Sequence, residues 1–123
     1  MAFGAPSGFL REARSAPEKL YRAVIECWNR RDAAGFAELF EAEGHCIGFG
    51  GTEMPGPDKI ESTLGRIFAE HETATYVAKV RDVRLLTAEI ALLRAVVGDG
   101  AAWAGRHQIR YHLMRPVAFS NAW

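Results

Sequence analysis

Cysteine is scarce: only Cys27 and Cys46 occur in 123 residues, and neither sits in a CxxC pair. No His/Cys/Asp/Glu group has ligand spacing, so no metal site is expected. His107 and His112 lie an odd number of residues apart, which in a strand sets them on opposite faces. The two thiols are expected to be reduced and buried, with a disulfide as the alternative. No apolar run approaches the roughly 20 residues that cross a bilayer. The opening MAFGAPSGFLREARS also lacks a basic start followed by an apolar stretch. Neither a membrane span nor a cleaved signal is therefore expected, and the expected location is cytoplasmic. Neither sign of charge prevails, since 15 basic residues balance 15 acidic ones, so there is no bulk electrostatic case for nucleic acid. There is no G-x-G-x-x-G turn, no Walker loop and no nucleophile elbow. No nucleotide cofactor and no serine triad are expected.

What remains is the ordinary composition of one globular domain, 49% hydrophobic and 24% charged, with no room for a second core. Residues 1–14 read as a poorly ordered lead, because Gly4, Pro6 and Gly8 interrupt any period. The domain proper is expected to span 15–123, starting with a capping box at Ser15 and Glu18 that places Pro17 in the first helical turn. Leu20, Tyr21, Val24, Ile25 and Trp28 then mark one helical face. Asp32 can cap a second short helix carrying Phe36, Leu39 and Phe40. A short strand over 45–49, a glycine turn and a partner over 52–54 follow. Pro55-Gly56-Pro57 leads into a third helix with Ile60, Leu64, Ile67 and Phe68 on its buried face.

After His71 the period becomes two. Residues 76–85 and 90–97 read as long strands, and Ile109, Tyr111 and Leu113 alternate with polar neighbours in another. Helices first and strands last imply an α+β domain with helices on the concave face of a curved antiparallel sheet. Such a cone encloses a cavity.

The run from Ala23 to Phe40, AVIECWNRRDAAGFAELF, resembles the W-N-x-x-D-x-x-x-F-A-x-L-F signature of SnoaL-like proteins. These belong to the cone-shaped, nuclear-transport-factor-2-like (cystatin-like) superfamily. Gly51–Ile60 is similar to the glycine-then-helix segment that follows. Leu92–Gly98, LLRAVVG, looks like the central strand of the SgcJ/EcaC subgroup, and the likeness covers about residues 16–98. It implies a small, largely apolar organic ligand in the cone and a homodimer through the sheet. The implied activity is that of a cofactor-independent isomerase, cyclase or dehydratase, or of the SgcJ/EcaC-type oxidoreductase. A non-catalytic module, or a damaged family member, is the alternative. The steroid isomerases of this fold use a tyrosine and an aspartate where Val24 and Gly48 align here, so their mechanism is not expected.

Beyond Gly98 the likeness stops. Related chains continue Met-Val-Pro-Pro-Gly-Gln where this one reads Asp99-Gly100-Ala101-Ala102-Trp103-Ala104. Codons for these residues, read one nucleotide later, can spell the related text. Residues 99–123 are therefore expected to be either a divergent tail or a frameshifted one, and a frameshifted tail would leave the fold without its terminal strands. The coding DNA decides between them.

Two residues stand out as candidate catalytic groups. His45, at the start of the first strand, could act as acid or base near neutrality. Arg94 interrupts an apolar strand on the Leu92/Arg94/Val96 face, where it would either anchor a ligand carboxylate or pair with an acidic side chain. Tyr21, Trp28, Phe49, Met54 and Phe68 are the expected ligand-binding residues, with core filling as the plainer role. Asn29 and Asp32 are explained by capping.

Overall fold

In the computed structural model a 23-residue helix, α1 (Ser7–Asn29), opens the described part of the chain. The backbone is described for residues 7–48, 51–87, 90–98, 103–112 and 115–120, and side chains for those of them between 15 and 98. The helix thus begins eight residues before the expected Ser15 cap, and Pro17 sits in its interior. An interior proline forfeits one hydrogen bond to the preceding turn. Here its ring is among the most completely buried side chains, and that burial offsets the loss.

The end of α1 explains the spacing of Trp28, Asn29 and Asp32 without any chemistry. The Asp32 N–H donates to the Cys27 carbonyl at 2.9 Å, and the Arg31 N–H to the Trp28 carbonyl at 3.0 Å. Together these form a Schellman closure. Arg31 takes the left-handed position at φ 59°, which glycine usually fills. Asp32 then caps α2 (Ala33–Glu38), as expected, its carboxylate accepting from the Gly35 N–H at 2.8 Å. A Cβ at Gly35 would collide with that carboxylate, which accounts for the glycine.

Next come β1 (His45–Ile47), β2 (Glu53–Pro55) and α3 (Gly56–Glu70), then β3 (Val77–Leu85), β4 (Ile90–Gly98), β5 (Trp103–His112) and β6 (Arg115–Ser120). Gly56 starts α3 at φ +83° and Pro57 occupies its first turn, where no donor is needed. The six strands form one sheet in the order β2-β1-β6-β5-β4-β3. The expected antiparallel pattern holds for every pair but one, since β6 runs parallel to β1. A chain that returns from β5 to the far side of β1 enters in the same direction as β1. The terminal strands that a frameshifted tail was expected to remove are present, because β5 and β6 fill the centre of the sheet.

The helices cover one face. The buried set on β4 is Ala91, Leu93, Ala95 and Val97. Of these, Leu93 and Ala95 pack with Tyr21, Val24 and Ile25 of α1, Phe36 and Ala37 of α2, and Ile60 and Leu64 of α3. Both cysteines are free and buried, as expected. Among the described residues no helix is long and apolar enough to cross a membrane.

Candidate functional site

The alternation of side chains decides which residues face the helices. On β1, Cys46 is 3% exposed while His45 and Ile47 are half-buried, so His45 lies on the face away from the core. On β4 the same parity turns Leu92, Arg94 and Val96 outward. Arg94 there pairs with Asp82 of β3 through two hydrogen bonds, Nε to Oδ1 at 2.9 Å and Nη2 to Oδ2 at 3.2 Å. This bond holds the Asp82 carboxyl below its usual range, the nearby charges of Arg94 and Arg84 adding to it.

The two expected catalytic residues therefore require correction. They share the outer face, but register runs Arg94–Gln108–Ser120–Ile47 across three strand spacings, roughly 14 Å. His45 lies two residues further along β1. They cannot converge on one ligand inside the cone, and Arg94 has the structural partner that was its alternative role.

The inner face holds other groups. Met54 pairs in register with Cys46, and the row continues through Phe119, Ile109, Leu93 and Val83. Tyr21 is 1% exposed beneath α1, and Met54 is 3% exposed. Burial pushes the Tyr21 phenol up, with the Arg22 charge pulling weakly against it. Burial likewise pushes the Cys46 thiol up to about 12. Both stay neutral at physiological pH. They can donate a hydrogen bond, but neither acts as a base or a thiolate nucleophile there. Cys46 is buried as expected, and sequence reasoning missed the buried Thr63 of α3.

A linked pH dependence follows. Because the folded-state value for Cys46 is raised from 9.0 to about 12, its contribution to stability is intact below about pH 9 and is lost as pH rises toward 12. The expected loss is about 1.4 kcal/mol per pH unit, with Tyr21 adding to it above its ordinary range near 10. Urea unfolding at pH 8, 9.5 and 10.5 measures the slope, and Cys46→Ala should make it shallower by about one group's worth.

Trp28 and Phe68 are half-buried at the rim, where the C-terminal ends of α1 and α3 meet. Trp28 stacks on Tyr76 at 5.1 Å with rings 2° from parallel, and meets Phe68 edge-on at 5.2 Å. Its indole N–H donates to the Ala74 carbonyl at 2.9 Å. Asn29 closes a two-way bond with the Tyr76 backbone, receiving its N–H at 2.7 Å and donating to its carbonyl at 3.0 Å. Asn29 is thus a clamp between α1 and β3, a role that capping did not foresee. Phe49 lies outside the described residues. Among the described residues no three His, Cys, Asp or Glu side chains gather to hold a metal.

A family model described as the SnoaL-like domain matches residues 18–115. No curated protein matches the sequence. Among solved structures, a cystatin-like-fold domain of unknown function from Nostoc punctiforme is 19% identical over 96% of this chain and 78% of its own, with a TM-score of 0.77. A ketosteroid isomerase-like protein from Erwinia carotovora is 14% identical over 90% of this chain and 95% of its own, with a TM-score of 0.69. A nuclear-transport-factor-2-like protein of unknown function from Shewanella oneidensis is 12% identical over 89% and 98%, with a TM-score of 0.71. At such identities the likeness carries the fold and leaves the chemistry open.

Proposed function

The chain belongs to the SnoaL-like family, and we propose that it binds a small, largely apolar organic molecule between its helices and the inner face of its sheet. The supporting observation is the chemistry of that face: aliphatic and aromatic side chains with Tyr21 as a neutral buried phenol. Trp28 and Phe68, partly exposed beside the core, form the rim through which such a molecule passes. On binding, the Tyr21 hydroxyl would exchange its present interaction for a carbonyl or hydroxyl oxygen of the ligand and so fix its orientation. Among the described side chains the inner face carries no carboxylate or imidazole, and on β5 His107 holds the register position opposite buried Ala95. The resemblance of Leu92–Gly98 to the SgcJ/EcaC subgroup fits this reading and adds no catalytic residue on the inner face.

A panel of apolar ketones and phenols tests it by thermal shift. A ligand at a hundred times its Kd stabilises by about 2.7 kcal/mol, a rise of several degrees in Tm. Tyr21→Phe keeps the ring and removes one hydrogen bond, so affinity should fall roughly tenfold. The proposal fails if no compound moves the wild-type Tm. Equal binding by Tyr21→Phe removes the hydroxyl from the site.

One observation favours a second reading, a non-catalytic module with a filled interior. Val24, Ile60 and Leu93 are 0% exposed and Tyr21 only 1%, so no water-sized space adjoins them. A uniform null across the panel leaves this reading standing.

A further inference from the structure

Half-buried Trp28 and Asn29 pair their polar atoms with backbone 46 and 47 residues away. Thr63 does not follow that rule. It is 3% exposed, the one buried polar or charged side chain among the described residues. Among the described residues nothing hydrogen-bonds its hydroxyl. A helical threonine has a ready acceptor in the carbonyl three or four residues back. Ser62 uses that option and donates to the Lys59 carbonyl at 3.3 Å. A buried hydroxyl without a partner is costly, and native interiors keep few of them.

Thr63 belongs to the stripe Ile60, Thr63 and Leu64 that α3 buries. That helix packs on α2 and on the β1–β2 hairpin. Ile60 and Leu64 share the core with Cys46 and Met54 of the hairpin, whose thiol and thioether are weak hydrogen-bond partners. Tyr21 enters from the other flank, because α1 packs on β3 and β4. In the sheet β4 stands three strand spacings, roughly 14 Å, from β1.

We propose that Thr63 is a second polar anchor for the ligand, which is an uncharged molecule with an oxygen function at each end, one for Tyr21 and one for Thr63. This rests on the reading that the interior binds a small, largely apolar molecule. A hydroxyl both donates and accepts, so Thr63 takes a ligand hydroxyl or carbonyl. An analogue without that oxygen leaves Thr63 unpaired and is discriminated against. Charge on the ligand is disfavoured, since no buried side chain among the described residues could neutralise it.

The probes are 1-tetralone and its 4-, 5- and 7-hydroxy derivatives, bicyclic ketones without and with a second oxygen. They are titrated calorimetrically at pH 7 into the wild type, Thr63→Val and Thr63→Ser. At least one hydroxy derivative should bind the wild type about tenfold tighter than 1-tetralone. Thr63→Val should abolish that preference and Thr63→Ser should keep it. Without ligand, Thr63→Val fills the same space and sheds an unpaired hydroxyl, so its Tm by circular dichroism should equal or exceed that of the wild type. A lower Tm, or failure of that variant to fold, overturns the proposal by showing the hydroxyl already bonded in the fold. If the wild type binds 1-tetralone or any ketone of the panel yet shows no such preference, or Thr63→Val retains it, the anchor falls and the pocket reading stands. Silence from every tetralone and from the whole panel of ketones and phenols overturns both.

Discussion

Leu93→Ala should lower the unfolding free energy by about 2–5 kcal/mol, whereas Leu92→Ala, one residue away on β4, should cost under about 1.5 kcal/mol. Leu93 is 0% exposed in the register row that joins Cys46 to Val83, while Leu92 is half-buried on the other face. Truncating Leu93 leaves a cavity that the packed core around it collapses only partly to fill. Truncating Leu92 exposes backbone that water can reach. Urea denaturation of the two variants measures the difference directly. Equal costs would mean that the two faces of β4 are not distinct, and both the inward role of Tyr21 and the outward place of Arg94 would fall with that result.

The second large effect is expected at Trp28. Trp28→Ala removes the stack on Tyr76, the edge contact with Phe68 and the bond to the Ala74 carbonyl together. A loss of about 3–5 kcal/mol is expected. Trp28→Phe keeps a ring in the stack and forfeits the indole donor, so it should cost nearer 1–2 kcal/mol. Chemical denaturation reads both values. If the alanine variant lost less than about 1 kcal/mol, the joint between α1 and the start of β3 would not depend on this side chain, and Asn29 would have to carry it.

The Trp28–Asn29–Asp32 spacing was legible as a family signature but not as a structural device. Its partners, the backbone of Ala74 and Tyr76, lie 46 and 47 residues further on. Local reasoning could find the cap that Asp32 makes three residues away, because both groups belong to one turn. It could not find a clamp whose other half depends on how α3 returns the chain. The start of α1 went wrong for a related reason. Ser15, Pro17 and Glu18 satisfy a capping pattern, yet tertiary burial of the Pro17 ring lets the helix run through it.

Fold class did not need the tertiary structure. Three helical faces and a run of alternating strands already specified an α+β domain with helices on one side of a sheet, whereas the free state of the two thiols is read from the structure. What sequence could not decide was the face. Residues 90–97 are apolar on both parities, so the alternation that placed Arg94 with Leu92 and Val96 left open which side the helices cover. Only the packing of the helices over Leu93 and Ala95 settles it, since that buries their parity and leaves Leu92, Arg94 and Val96 on the other face. That choice turns Arg94 and His45 outward and leaves Tyr21, Cys46 and Thr63 among the neutral polar groups of the interior.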